Sequence, residues 1–105
     1  MKEINPVELK KMMDDKEQFQ LIDIRDQYEI DLCSIGGKCI NFYHILDKKD
    51  EISKDKKVII YCRTGNRSLK AIRILERKFK NKNLYNLKGG ILQWREDIDP
   101  SLPTY

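Results

Sequence analysis

Two periods of apolar residues alternate along this chain. Runs suited to strands stand at FQLIDIR, KCINF, KKVIIYC and NLYNL, while spacings of three and four residues stand between them. NPVELKKMM reads as a helix start: Asn5 is the N-cap, Pro6 the first helical position, and Glu8 closes a capping box, with Leu9, Met12 and Met13 on one face. This helix should end near Asp15 and give way to a strand over Gln18 to Ile22. DQYEIDLC repeats the capping logic with Asp26 and Glu29 ahead of a short helix. Gly36 and Gly37 turn the chain into the short KCINF strand, and YHILDKKDEIS holds helical turns and a charged loop.

The run Lys57 to Tyr61 is apolar without alternation, which predicts a central strand of a parallel sheet covered on both faces. Arg67 to Phe79 is amphipathic, with Leu69, Ile72, Leu75 and Phe79 forming the stripe and a Glu76–Lys80 pair supporting the exposed side. NLYNL is the last strand, Gly89 and Gly90 the last turn, ILQWREDI the last helix, and Pro100 and Pro103 break the tail. Strands alternating with helices predict an α/β fold with a mostly parallel sheet.

At 105 residues the chain is expected to be one domain, residues 1 to 105, able to bury a core without metal or disulfide support. Charged residues make up 36% of it, yet the recurring apolar segments argue against disorder. The net charge of +4 comes from dispersed lysines and arginines with no interleaved aromatic residues, which points away from nucleic acid and toward a solvated surface, an acidic protein partner or a small anion. MKEINPVELKK lacks the apolar segment of a signal peptide and no run is long enough to span a bilayer, so the expectation is a cytoplasmic protein with no membrane partner. Three cysteines are too few for a disulfide scaffold.

Cys62 ends the central strand, and a helix starts near Arg67, so the thiol stands at the carboxyl end of a strand where helix N–H groups point. The connecting residues Arg63, Thr64, Gly65 and Asn66 include the two types that best tolerate a left-handed backbone, as an anion nest requires. Inward N–H groups, the helix dipole and the arginines favour thiolate over thiol. Such a thiolate attacks electrophilic sulfur or phosphorus and holds the anionic adduct in the same cradle. No cysteine or histidine spacing, with Cys33, Cys39 and His44 included, matches a known zinc ligand pair, so neither metal nor cofactor is implied.

YCRTGNRS resembles the active-site loop of the rhodanese-like sulfurtransferases, in which Cys and Arg are separated by four loop residues and followed by Ser or Thr. LIDIRDQYEIDLCSIGG is similar to the family's Asp-x-Arg segment and Gly turn, and LKGGILQW to its closing segment. The resemblance implies a three-layer α/β/α sandwich around a five-stranded parallel sheet. It implies that Cys62 takes sulfane sulfur from thiosulfate or a protein persulfide, carries it as a persulfide, and passes it to a nucleophilic acceptor. By the same resemblance, amides from Arg63 to Ser68 cradle the persulfide and Arg67 orders the loop. Arg63 either meets an anionic donor at the mouth or is only a surface charge, and the Ser68 hydroxyl is a candidate helix cap. Asp23 and Arg25 match Asp-x-Arg, the aspartate bracing the loop and the arginine pairing locally.

Phosphatases and arsenate reductases on this fold are the alternative enzymes. The phosphatases carry one more loop residue, which would put their arginine at position 68, occupied here by Ser68. A non-catalytic binding module is a further alternative, disfavoured by the presence of both Cys62 and Arg67. Ser34 stands where relatives often have histidine, and Gly36 replaces a proline, so a looser turn is expected. WREDIDPSLPTY resembles the end of rhodanese domains fused behind adenylating enzymes that thiolate ubiquitin-like sulfur carriers, which suggests such a carrier as acceptor.

Overall fold

The computed structural model describes residues 2–105. Five strands form one sheet: β1 (Lys2–Ile4), β2 (Phe19–Asp23), β3 (Lys38–Cys39), β4 (Lys57–Tyr61) and β5 (Leu84–Leu87). Their spatial order is β1-β5-β4-β2-β3, and every pairing is parallel. The helices are α1 (Pro6–Asp14), α2 (Gln27–Leu32), α3 (Asn66–Phe79) and α4 (Gly90–Asp97), with 3-10 turns at Phe42–His44 and Lys49–Glu51. Among the described residues no helix is long and apolar enough to cross a membrane.

β4 is the middle strand, as its unbroken apolar run predicts, and its side chains divide by the strand period of two. Val58, Ile60 and Cys62 join one core with Ile22, Ile24, Ala71, Ile72 and Leu75, the layer covered by α3 and the 3-10 turns. Ile59 and Tyr61 join the other with Leu9, Met12, Ile91 and Trp94, covered by α1 and α4. These are the three layers of the expected sandwich.

The predicted capping box of α1 is present: the Glu8 N–H donates to Asn5 Oδ1 at 2.8 Å and the Asn5 N–H to Glu8 Oε1 at 3.1 Å. The strand β1 has no counterpart among the predicted elements, because a three-residue edge strand with one apolar side chain leaves no periodic signal. Two expectations for α3 are corrected. Phe79 is 37% exposed, beyond the core's reach, and the Lys49 ammonium lies 4.9 Å from its ring centroid. Lys80 adopts a left-handed backbone (φ 58°) as the helix C-cap. Its side chain therefore leaves the helical row, and it forms no ion pair with Glu76 among the described residues.

The turn in which Gly36 stands in place of a proline carries ties of its own. Gly36 (φ 95°) and Gly37 (φ 97°) both take left-handed conformations, the Gly36 N–H donates to Ser34 Oγ at 3.0 Å, and a Cβ on Gly37 would meet the Leu21 carbonyl oxygen at 2.7 Å.

Candidate active site

The chain leaves β4 at Tyr61 and enters α3 at Asn66, so Cys62 and the three residues after it form the turn at the carboxyl end of the middle strand. Gly65 makes this turn by adopting φ 100° as the N-cap of α3. Its N–H donates to Cys62 Sγ at 3.1 Å, and the N–H of Ser68 in the first helical turn does so at 3.5 Å. Cys62 is fully buried. The N–H groups of Thr64, Asn66 and Arg67 have no acceptor among the described residues, so the start of α3 retains free donors beside the sulfur. The arrangement stabilises negative charge on the sulfur and on an atom attached to it.

Ser68 does not cap the helix. Its hydroxyl lies 3.4 Å from Cys62 Sγ, 3.2 Å from the Gly65 carbonyl oxygen, and donates to Asn86 Oδ1. Asn86 Nδ2 in turn donates to the Gly65 carbonyl at 3.2 Å. Asn86 is thus a buried amide on β5 that ties Gly65 and Ser68, at the α3 end of the turn, to the sheet. The sequence offered one sign of it, a polar residue inside the apolar NLYNL run. From the other side, Gly90 presses on the loop's first residues: a Cβ there would come within 2.4 Å of the Arg63 carbonyl oxygen. The N–H groups of Ile91 and Leu92 hold the carbonyls of Cys62 and Arg63 at 2.9 and 3.2 Å.

Arg67 is held by a partner whose sequence context marks it only as a helix cap. Its Nη1 and Nη2 donate to Glu29 Oε2 and Oε1 at 2.7 and 2.8 Å, a two-pronged pair between α3 and α2. Glu29 Oε2 also accepts the Asp26 N–H at 2.9 Å, so the carboxylate caps α2 as predicted and clamps the first turn of α3, after Cys62, as well. Burial alone would raise the Glu29 carboxyl. The hydrogen bonds from Arg67 and the Asp26 N–H, with the arginine's charge, outweigh burial and hold it below its ordinary value of 4.5. The same contact raises Arg67.

Because folding lowers the Glu29 value, the stabilisation is fully present above the unfolded-state value and is lost as pH falls through the folded one. Glu29→Gln should cost about 1–3 kcal/mol at neutral pH, the range for a hydrogen-bonded charge. That gap in urea-melt stability should close in acid. A gap that persisted unchanged at acid pH would rule out the ion pair as its source.

Asp23 and Arg25 form a fully buried pair. Arg25 Nη2 donates to Asp23 Oδ2 at 2.7 Å and Nε to Oδ1 at 3.0 Å. Arg25 also donates to the carbonyls of Cys33 at 2.7 Å and Glu29 at 3.3 Å, which pins α2 to the sheet. The local pairing expected of Arg25 is present. Asp23 departs from expectation: it accepts no hydrogen bond from the turn Arg63–Ser68, and instead accepts one from the Tyr61 hydroxyl at 2.8 Å, directly ahead of Cys62. Burial, then the Asp23 charge, raises Tyr61 and keeps the phenol protonated as a donor.

Arg63 is half-buried and does not stand free at the mouth. Its Nη2 donates to the Tyr105 main-chain oxygen and its guanidinium lies 5.0 Å from the Tyr105 ring centroid. Thr64 and Asn66 are exposed on the outer side of the turn. Of the remaining thiols, Cys33 is buried and Cys39 exposed.

The chain resembles known proteins along nearly its whole length. The family model described as Rhodanese-like domain matches residues 5–97. A probable adenylyltransferase/sulfurtransferase, MoeZ, from Mycobacterium tuberculosis is 30% identical over 105 residues, covering 97% of this chain and 26% of the relative. The adenylyltransferase and sulfurtransferase MOCS3 from Xenopus laevis is 30% identical over 118 residues, covering 93% of this chain and 26% of that protein. The chain thus spans about a quarter of the length of these curated relatives. Among solved structures, a rhodanese-like domain protein from Staphylococcus aureus superposes with a TM-score of 0.82 at 27% identity, covering 100% of this chain and 99% of the other. A rhodanese-related protein from Thermoplasma volcanium gives 0.81 at 26%, covering 98% and 96%. With a matching family model over residues 5–97, and the same fold in these neighbours, the chain belongs to the rhodanese-like domain family.

Proposed function

We propose that this domain is a sulfurtransferase that carries sulfane sulfur on Cys62. The observation that carries the reading is the sulfur's setting: Cys62 follows the middle strand and its Sγ accepts N–H groups from Gly65 and Ser68, with further free N–H groups at the start of α3. With thiosulfate as donor, the Cys62 thiolate attacks the outer sulfur. A new S–S bond forms, the donor's S–S bond breaks, and sulfite leaves with the electron pair. The resulting persulfide anion lies where the free N–H groups stabilise it. A nucleophilic acceptor then attacks the outer sulfur, and the Cys62 thiolate leaves unchanged. No base is required once the thiol is ionised.

Arg67, clamped by Glu29, orders the turn and adds positive potential; Arg63 would meet an anionic donor once its contact with Tyr105 is given up. A protein persulfide is the alternative donor. The likeness of the tail WREDIDPSLPTY to domains fused behind adenylating enzymes suggests a ubiquitin-like sulfur carrier as acceptor, and the relatives named as both adenylyltransferase and sulfurtransferase agree with it in kind. The test is the intact mass of the reduced protein after thiosulfate or a protein persulfide, followed by cyanide. Gain of one sulfur atom, its loss to cyanide and the appearance of thiocyanate support the proposal. No gain from either donor, or turnover of an aryl phosphate instead, overturns it.

A further inference from the structure

The segment after α4 returns to the active site. The Arg95 Nε–H donates to the Leu102 carbonyl at 2.7 Å, and Leu102 and Tyr105 pack on the core formed by Tyr61, Ile91 and Trp94. Tyr105 then lies between two arginines. Its hydroxyl accepts from Arg25 Nη1 at 3.0 Å, and the Arg25 and Arg63 guanidinium carbons stand 5.9 and 5.0 Å from its ring centroid. Its main-chain oxygen accepts from Arg63 Nη2. Arg25 is itself immobilised by Asp23, so the hydroxyl is anchored to a fixed point and the ring and main-chain oxygen are delivered to Arg63.

Arg63 is incompletely satisfied in this position. Its Nε–H is buried and has no hydrogen-bond partner, the one such side-chain atom among the described residues. A guanidinium with one prong on a single main-chain oxygen and another unpaired is poorly matched; an anion with two or more oxygens would satisfy Nε and Nη2 together. Arg63 directly follows Cys62 in the turn, so an anion held by its guanidinium is bound on the same loop as the thiol.

We propose that Tyr105 is a specificity-determining positioning residue: by occupying the Arg63 guanidinium it weakens the site's hold on small anionic sulfur donors, which must displace it to bind. This rests on the sulfurtransferase reading for the identity of the donor, but the effect of Tyr105 on Arg63 is measurable without it.

The experiment alkylates the reduced full chain with iodoacetate and with iodoacetamide and follows each cysteine by peptide mass. In both reagents the thiolate attacks the methylene carbon and iodide leaves, so the two differ in charge at the incoming group. Tyr105→Ala removes the ring from the Arg63 guanidinium and the hydroxyl anchor on Arg25, so that the main-chain oxygen, though retained, is no longer held against Arg63. It should raise the iodoacetate-to-iodoacetamide rate ratio at Cys62 about tenfold, the size of one charge-assisted hydrogen bond. The ratio at exposed Cys39 should not change, and adding Arg63→Ala should erase the gain at Cys62. For thiosulfate the effect should fall on KM rather than kcat. If Tyr105→Ala does not fold, Tyr105→Leu retains the apolar packing and should give the same rise. An unchanged ratio in both variants, or a rise that survives Arg63→Ala, overturns the proposal. A rise in the ratio with no sulfur taken up from any donor supports the role of Tyr105 and removes the sulfurtransferase reading instead.

Discussion

Replacing Cys62 by serine should abolish sulfur uptake, lowering its rate by at least about a thousandfold, as removal of a covalent nucleophile does elsewhere. A serine hydroxyl occupies the same place and accepts the same Gly65 and Ser68 N–H groups, but it is not ionised there and does not attack sulfane sulfur. The fold should survive: Cys62 lies in the core beside Ile60 and Ala71, and a hydroxyl in this polar-lined position is satisfied by the donors already present. A thermal melt within a few degrees of the parent would establish that the loss is chemical. Cys39 provides the necessary contrast, since it is the exposed thiol and the one a reactive donor meets first. It stands on the edge strand β3, with no free helix N–H groups at its sulfur, so Cys39→Ser should load normally. Loading that survived Cys62→Ser and vanished with Cys39→Ser would transfer the carrier role from the turn after the middle strand to the edge of the sheet, and would end the proposal.

What the sequence revealed of this site was what lies close in the chain. Cys62, the loop to Asn66 and the helix after it occupy one continuous stretch, and the β4 run and the α1 capping box are likewise local patterns. The groups that hold the site together come from far away. Glu29 reaches Arg67 across 38 residues and Asn86 reaches Ser68 across 18. Each has a complete local explanation, as a helix cap or as a polar position in a strand, that hides the second role. Tyr105 lies in a stretch broken by two prolines, with no period to follow, and only the tertiary fold brings it to Arg63. Phe79 fails in the opposite direction. Its spacing belongs to the α3 stripe, but periodicity does not say where the sheet stops, and the helix runs past that edge. The Asp23–Arg25 pair was legible as a pair; its connection to Tyr61 depends on the register of β2 with β4, which sets Asp23 opposite Tyr61.

That buried pair carries the largest expected effect on stability. Asp23→Ala should cost about 3–5 kcal/mol, the range for removing one partner of a buried ion pair, out of a total near 5–15 kcal/mol for a domain. The reason is what remains. Arg25 is 1% exposed and cannot turn to water; its other described partners, the carbonyls of Glu29 and Cys33, the Cys33 Sγ and the Tyr105 hydroxyl, include no carboxylate. The Tyr61 hydroxyl loses its carboxylate acceptor and keeps the Gly36 carbonyl, 2.8 Å away. If the cost is an uncompensated charge, removing that charge must restore stability. Asp23→Leu combined with Arg25→Met should therefore recover most of the loss, although it deletes more hydrogen bonds than the single variant. Urea melts of the parent, Asp23→Ala, Asp23→Asn and the double variant decide the matter. Asp23→Asn keeps an acceptor and the shape, and should fall near Asp23→Ala because it lacks the charge. A double variant as unstable as Asp23→Ala would mean that the hydrogen-bond geometry, and not the buried charge, is what holds α2 and the end of β4 in place.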